Sequence, residues 1–452
     1  MNSKSINRKI FDSIMIISFL TLFVRLVSIA KEVYIVNIYG IGELLDIFIT
    51  ALIIPIFVIS VFAGPIYGSL IPKLTEIRKR EGRLQASALF ANIFTIFTLI
   101  VLILSVIIGV LNSHILELIS PNFIGSKFAE TVSSSFKLIP LIIIGSLSIL
   151  GGAVLNSEKF FFLPSIAPIS TPLLLLLLLF VFSSLDKDLD VELLIIGMVG
   201  GYAIELLIIL IGLNKLGYVC LPDFSKNYNN TKAIIKQYMP LLYAALLMSG
   251  TLFADQIMAS WLSSGSVSAL NYGIKIPAFF IGLASVGIGY SIIPHMSDQL
   301  YDKKYIEIRK TLLLYSVSII TISIPIVIVI LFYSDLLVIS LFERGAFTRD
   351  DSLLVSEVMR YSLLQSPFYI LVVLYSKFIS AINRNSVFIF LSIFILLLNV
   401  IVNLILMNIM GVAGIALSTS IVYMVGSFIL FLIAIKEVNL LINVILRKNQ
   451  TI

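Results

Sequence analysis

Twelve apolar stretches, most of them 20 or more residues long, divide this 452-residue chain at approximately 10-37, 44-71, 84-112, 131-155, 160-183, 191-213, 233-262, 268-294, 309-333, 352-383, 385-408 and 411-435. At 1.5 Å of rise per residue, a helix of about 20 residues crosses a hydrocarbon core about 30 Å thick. In lipid a backbone must satisfy its own polar groups, so each long run is read as a membrane-spanning helix. Composition agrees. The chain is 59% hydrophobic and 12% charged, with mean hydropathy +1.09, whereas soluble domains are about 25% charged. The single Cys220 excludes an internal disulfide, and His114 with His295 cannot form a zinc site alone. No small-residue cleavage site follows Lys4, Arg8 and Lys9 before Arg25, so the first run reads as a permanent span and not as a signal peptide.

The basic residues test the count. Of 31 Lys and Arg, 20 fall in the N-terminus, the alternate loops 72-83, 156-159, 214-232, 295-310 and 384, and the C-terminal tail. The opposite loops hold only Lys127, Lys187, Arg344 and Arg349. The positive-inside rule then places both termini in the cytoplasm. A net charge of +6 spread over short loops is no nucleic-acid surface. Residues 53-72 and 275-294 align without a gap, matching Ile54/Ile276, Pro55/Pro277, Phe57/Phe279, Ile59/Ile281, Ser69/Ser291, Ile71/Ile293 and Pro72/Pro294. This lays the second helix on the eighth. The expected fold is an all-α integral membrane protein of about twelve transmembrane helices in two pseudo-symmetric six-helix lobes around a central cavity. The lobes are 1-213 and 233-452, the latter ending in a short cytoplasmic tail, and 214-232 is the linker. Pro55, Pro140, Pro277 and Pro367 inside the runs read as kinks.

Charges inside such helices are costly and mark wet cavities or partners. The first helix carries Arg25, Lys31 and Glu32, the second begins near Asp46, the seventh holds Asp255 and the eighth Lys275. Arg25 and Glu32, seven apart, share a helix face, which allows an internal salt bridge. Lys31 points elsewhere and has no obvious local partner. Arg25, Lys31 and Lys275 could together bind a pyrophosphate, Arg through its fork and Lys as a point charge. Asn399 and Asn403 stack on one face of the eleventh helix, and Thr419 on the twelfth and Asp255 could add oxygens. Interhelical hydrogen bonding and a hard-cation site are both open to that set. Lys137, Glu205, Arg360 and Lys377 are candidates for lobe-to-lobe pairs. There is no GxxxxGK[ST] phosphate loop, so energy is expected from an ion gradient, the membrane potential or the substrate gradient. No set of acid, base and nucleophile presents itself, so no enzyme is expected.

The residues also carry a resemblance. The stretches 24-55 (VRLVSIAKEVYIVNIYGIGELLDIFITALIIP), 70-76 (LIPKLTE), 155-169 (LNSEKFFFLPSIAPI), 260-277 (SWLSSGSVSALNYGIKIP), 291-297 (SIIPHMS) and 341-352 (LFERGAFTRDDS) resemble the MurJ/MviN lipid II flippase family of the multidrug/oligosaccharidyl-lipid/polysaccharide exporter superfamily. The resemblance implies two six-helix lobes working by alternating access in a bacterial plasma membrane. It implies transport of undecaprenyl-pyrophosphate-linked peptidoglycan precursor to the outer leaflet, in the context of the cell-wall synthesis machinery. It implies substrate-binding roles for Arg25, Lys31, Glu32, Asp46 and Lys275, and a sodium site at Asp255, Asn399, Asn403 and Thr419, with sodium as coupling ion and no other cofactor. The sequence departs from the family at PIFVIS (55-60), where an arginine is usual, at Glu158 to Phe160, and at Ile274-Lys275, where Asp-Arg is usual; two further C-terminal helices common in the family are absent. Another lipid-linked glycan, such as a capsule or O-antigen unit, is the alternative cargo. Multidrug antiport would want an acidic cavity.

Overall fold

The computed structural model describes residues 3–450 except 185–189, 219–227, 288–295, 297–298, 301, 303, 383 and 385. The described residues are helical, with no strand among them. His295, Cys220, part of the 214-232 linker and the 288-294 end of the internal repeat lie outside the described residues.

Two compact units result, Met1–Ser249 with Arg344–Ala346, and Gly250–Glu343 with Phe347–Ile452. In the first unit α1 (Ser3–Tyr39) is followed by α2 (Glu43–Val58), a π-helical turn (Ile59–Ala63) and α3 (Ile66–Glu81). Then come α4 (Arg83–Ile119), α5 (Ser126–Leu138), α6 (Pro140–Ser157), the short α7 (Phe162–Ile166), α8 (Ser170–Ser184) and α9 (Val191–Lys215). Helix α10 (Tyr228–Ser260) contributes its first part to this unit and its last turns to the second. The second unit continues with α11 (Ser266–Gly273), α12 (Lys275–Gly287), α13 (Tyr305–Phe332), α14 (Ser334–Phe342), α15 (Arg349–Leu363), α16 (Ser366–Ala381), α17 (Ser386–Met410) and α18 (Val412–Gln450).

Ten helical runs among the described residues are long and apolar enough to cross a membrane. The sequence runs 10-37 and 233-262 fall on α1 and α10, which are 37 and 33 residues long but are not among those ten. The count of twelve therefore rests on the sequence. Proline explains where several runs bend. Pro140 and Pro367 each open a helix that restarts one to three residues after its predecessor ends, a place where the missing N–H has no bond to lose. Pro55 remains inside α2, and the π-helical turn follows it directly.

Burial runs opposite to that of a soluble protein in the lipid-facing helices. In α17 the buried residues are Asn399 and Asn403, while Phe390, Leu397, Ile401 and Ile409 are exposed. In a hydrocarbon solvent aliphatic side chains gain nothing by hiding, whereas amides need polar partners. Helix α18 packs against α15, α16 and α17, and a core of Leu371, Leu374, Phe378, Ile379, Leu430 and Ala434 fills the second unit. In the first unit α9 packs against α6 and α8, and α3 against α4 and α6.

Candidate functional site

Asp255 is a buried carboxylate of the second unit. Three helices build the cluster around it. Helix α10 supplies the carboxylate, α17 the two amides and α18 the hydroxyl. Asn399 and Asn403 are one turn apart and so meet one partner from one face. The tight reversal between α17 and α18 uses Gly411, at φ +58°. A Cβ on Gly414 would stand 2.2 Å from the Leu406 carbonyl oxygen, so only glycine lets α18 lie this close to the end of α17.

Asp255 is 6% exposed, and Asn399 and Asn403 are fully buried. Asn399 Nδ2 donates to Asp255 Oδ1 at 3.0 Å and Asn403 Nδ2 to the same oxygen at 2.7 Å. Thr419 Oγ1 donates to Asp255 Oδ2 at 2.6 Å. Ser418 Oγ lies 3.4 Å from the Asn399 carbonyl oxygen. All three donors to the carboxylate are neutral, so its charge is hydrogen-bonded without being cancelled. Meanwhile Asn399 Oδ1 and Asn403 Oδ1 are buried without a hydrogen-bond partner, an arrangement native interiors avoid. Carboxylate, amide and hydroxyl oxygens are the donors that hard cations take. The two orphaned amide oxygens beside a single negative charge fit a monovalent cation of that kind. Among the described residues no group of three or more His, Cys, Asp and Glu forms a site for a polyvalent metal.

The cationic residues divide between the units. Arg25 lies within α1 and is exposed. Lys31 Nζ ion-pairs with Glu32 at 2.7 Å, which corrects two expectations: Lys31 has a local partner, and that partner is the carboxylate the sequence pairs with Arg25. Both arms are long enough to curl together from adjacent positions. Asp46, expected at the substrate, is 1% exposed. It sits 3.7 Å from Lys127 Nζ, in the first turn of α2 where the helix dipole favours an acid. That pair links the start of α2 to the start of α5. Lys275, expected well inside a helix, instead opens α12 after a break at Ile274, and its Nζ lies 5.8 Å from the Tyr272 ring centroid.

Of the other in-membrane charges, Lys137, Glu205 and Arg360 have partners within their own unit. Lys137 meets Glu192 at 2.8 Å, Glu205 accepts from Ser148 Oγ at 2.9 Å, and Arg360 binds Asp335 and Ser334. Glu158, marked in the sequence only as a departure from the family pattern, is a buried acid with three partners. Its side chain is 4% exposed and takes Arg78 at 2.9 Å, Arg83 at 3.0 Å and the Tyr218 hydroxyl at 2.6 Å. Burial alone would push the Glu158 carboxyl up. The hydrogen bonds from Tyr218, Arg83 and Arg78, with the Arg78 charge, outweigh that and hold it below the usual carboxylate range. An acid at a helix end beside a predicted basic loop was the available signal.

A polytopic helical chain in two compact units, with buried polar residues inside its bundles, has the architecture of a membrane transporter. The family model described as "Lipid II flippase MurJ" matches residues 35–450. The chain belongs to that family, a family of transporters and not of enzymes. A relative from Buchnera aphidicola subsp. Schizaphis graminum (strain Sg), named "Probable lipid II flippase MurJ", is 28% identical over 93% of this chain and 82% of its own length. Among solved structures, a lipid II flippase MurJ in an inward closed conformation superposes with TM-score 0.79 at 20% identity, covering 93% of this chain and 87% of that one. An inward-facing multidrug resistance MATE family transporter of the MOP superfamily follows at TM-score 0.74 and 14% identity, covering 95% and 99%. At those identities the structures establish the fold. Arg25, Lys31 and Glu32 precede the matched range of the family model.

Proposed function

We propose that this chain carries lipid II, the undecaprenyl-pyrophosphate-linked peptidoglycan precursor, from the inner to the outer leaflet of a bacterial inner membrane by alternating access, with both termini cytoplasmic. The observation that carries this reading is the family match across residues 35–450. The chemistry of the residues supports it. The cargo presents a pyrophosphate, and Arg25 offers an exposed guanidinium within a membrane helix, suited to a bidentate grip on phosphate oxygens. Lys275, at the start of α12, offers a point charge. Lys31 is paired with Glu32 and contributes less net attraction than Arg25.

Asp255, Asn399, Asn403 and Thr419 would hold sodium as the coupling ion. A bound sodium supplies a positive charge that neutralises Asp255. Turning the two amides would direct their unpartnered oxygens to it in place of their N–H groups. The protein's part is to keep a single uncancelled carboxylate in a dry bundle until the ion arrives.

Complementation tests the cargo. In cells depleted of their own lipid II flippase, the native chain should restore growth and outer-leaflet lipid II, and Arg25→Ala, inserted at normal levels, should not. Good membrane expression without rescue would refute lipid II as the cargo and favour another lipid-linked glycan. Rescue by Arg25→Ala equal to that of the native chain would remove the pyrophosphate role of that arginine.

A further inference from the structure

The first unit contains a polar interior that the reading above does not use. Glu205 lies on α9, within a membrane-spanning run, and accepts from Ser148 Oγ on α6 at 2.9 Å. Gly145, Ser148, Gly152 and Asn156 recur at helical spacing and form one small, polar face of α6. Two tyrosines close on that face. A Cβ at Gly145 would stand 3.2 Å from the Tyr202 ring, and one at Gly152 2.9 Å from the Tyr67 hydroxyl. Tyr67 hydrogen-bonds Asn156, and both tyrosines lie within electrostatic reach of Glu205. The π-helical turn Ile59–Ala63 abuts the same face, since a Cβ at Gly145 would also meet the Ile59 side chain at 2.8 Å. Such turns recur at functional sites because they displace one residue from the regular ladder. Here the Phe62 carbonyl accepts from the Tyr238 hydroxyl at 2.6 Å.

The charges around this pocket are already committed elsewhere. Lys137 is held by Glu192, thirteen residues before Glu205 on α9 and so about 20 Å away along the helix. Arg78 and Arg83 are held by Glu158, ten residues beyond Ser148 at the other end of α6, a separation of about 15 Å. Asp46 and Lys127 face each other where α2 meets α5. Among the described residues, the groups facing Glu205 are thus the hydroxyls of Ser148, Tyr67 and Tyr202 and the amide of Asn156. These can donate to or accept from a carboxyl in either protonation state. None of them cancels its charge.

A lone carboxylate in a membrane interior with neutral partners needs a mobile positive charge. A proton requires only one oxygen and a hydroxyl neighbour able to reverse its hydrogen bond, which is what Ser148 provides. We infer that Glu205, with Ser148, Tyr67, Tyr202 and Asn156, is a proton-binding site of the first unit, loaded and emptied during transport and separate from the oxygen cluster at Asp255.

Infrared difference spectra of the purified full-length protein in lipid vesicles, taken between mildly acidic and mildly alkaline pH at constant sodium, read this site directly. The expected result is a protonated-carboxyl C=O band in the native protein that Glu205→Gln removes and Asp255→Asn leaves in place. A spectrum unchanged by Glu205→Gln overturns the inference. So does a Glu205 band that responds to sodium at fixed pH and not to pH, which would make it a metal-cation site. In a vesicle flipping assay, which rests on the transport reading above, Glu205→Gln should flatten the pH dependence while keeping the sodium dependence. The infrared result stands whichever lipid is carried, so failure of the cargo assignment and failure of this site are told apart.

Discussion

Asp255 and Glu158 are both buried carboxylates at helix junctions, and their surroundings are opposite. Glu158, in the first unit, has two guanidiniums and a phenol as partners. Asp255, in the second, has two amides and a hydroxyl, and two amide oxygens beside it have no partner. Fixed countercharges make a structural joint, because the negative charge is balanced in every state. Neutral donors leave a charge that something mobile must balance. Glu205 falls with Asp255 on this criterion, and Asp46, paired with Lys127, with Glu158.

The largest expected effect breaks the joint. Glu158→Ala should strand Arg78 and cost about 3 kcal/mol, the usual loss when one partner of a buried pair is removed; thermal unfolding in detergent checks it. The contribution also has a pH sign. The folded carboxyl is held below its ordinary value near 4.5, so the stabilisation is complete above that value and fades as pH falls through the lower folded one. The gap in unfolding temperature between the native protein and Glu158→Gln should therefore close in acid. A gap that widens there would show that the pair does not hold the ionised form.

The mobile-charge side of the comparison is sharpened by sodium. An ion that binds only the folded protein stabilises it by about 2.7 kcal/mol at a hundredfold excess over its dissociation constant. Sodium should raise the unfolding temperature of the native protein and of Glu158→Ala but not of Asp255→Asn. A sodium shift that survives Asp255→Asn would place the ion elsewhere and break the contrast. The smallest effect concerns the backbone beside the joint. Lys159 has φ +61°, the one described non-glycine residue in the left-handed region. Lys159→Gly should relieve that strain and stabilise by about 0.5–1 kcal/mol, measurable as a small rise in unfolding temperature with Glu158 intact. A fall would mean that the lysine side chain holds the turn.

Much of the site was legible residue by residue. The one-turn spacing of Asn399 and Asn403 in an otherwise aliphatic run signalled a shared partner, and the structure brings them to Asp255 with Thr419. The cationic residues were legible only as charges. Nothing in the spacing of Lys31, Glu32 and Arg25 showed that adjacent side chains would pair in preference to the same-face pair, because flexible arms override the helical wheel. Glu158 was hidden for a related reason, since its partners come from three separated segments.

The sequence by itself determined the solvent, the spans and the orientation expected of them, because hydrophobic length and the distribution of Lys and Arg act through local energies summed along the chain. Only the tertiary structure decided which carboxylates have charged partners and which have neutral ones. That depends on atoms within hydrogen-bonding distance in a low-dielectric interior, brought there by helices that are up to 164 residues apart in sequence.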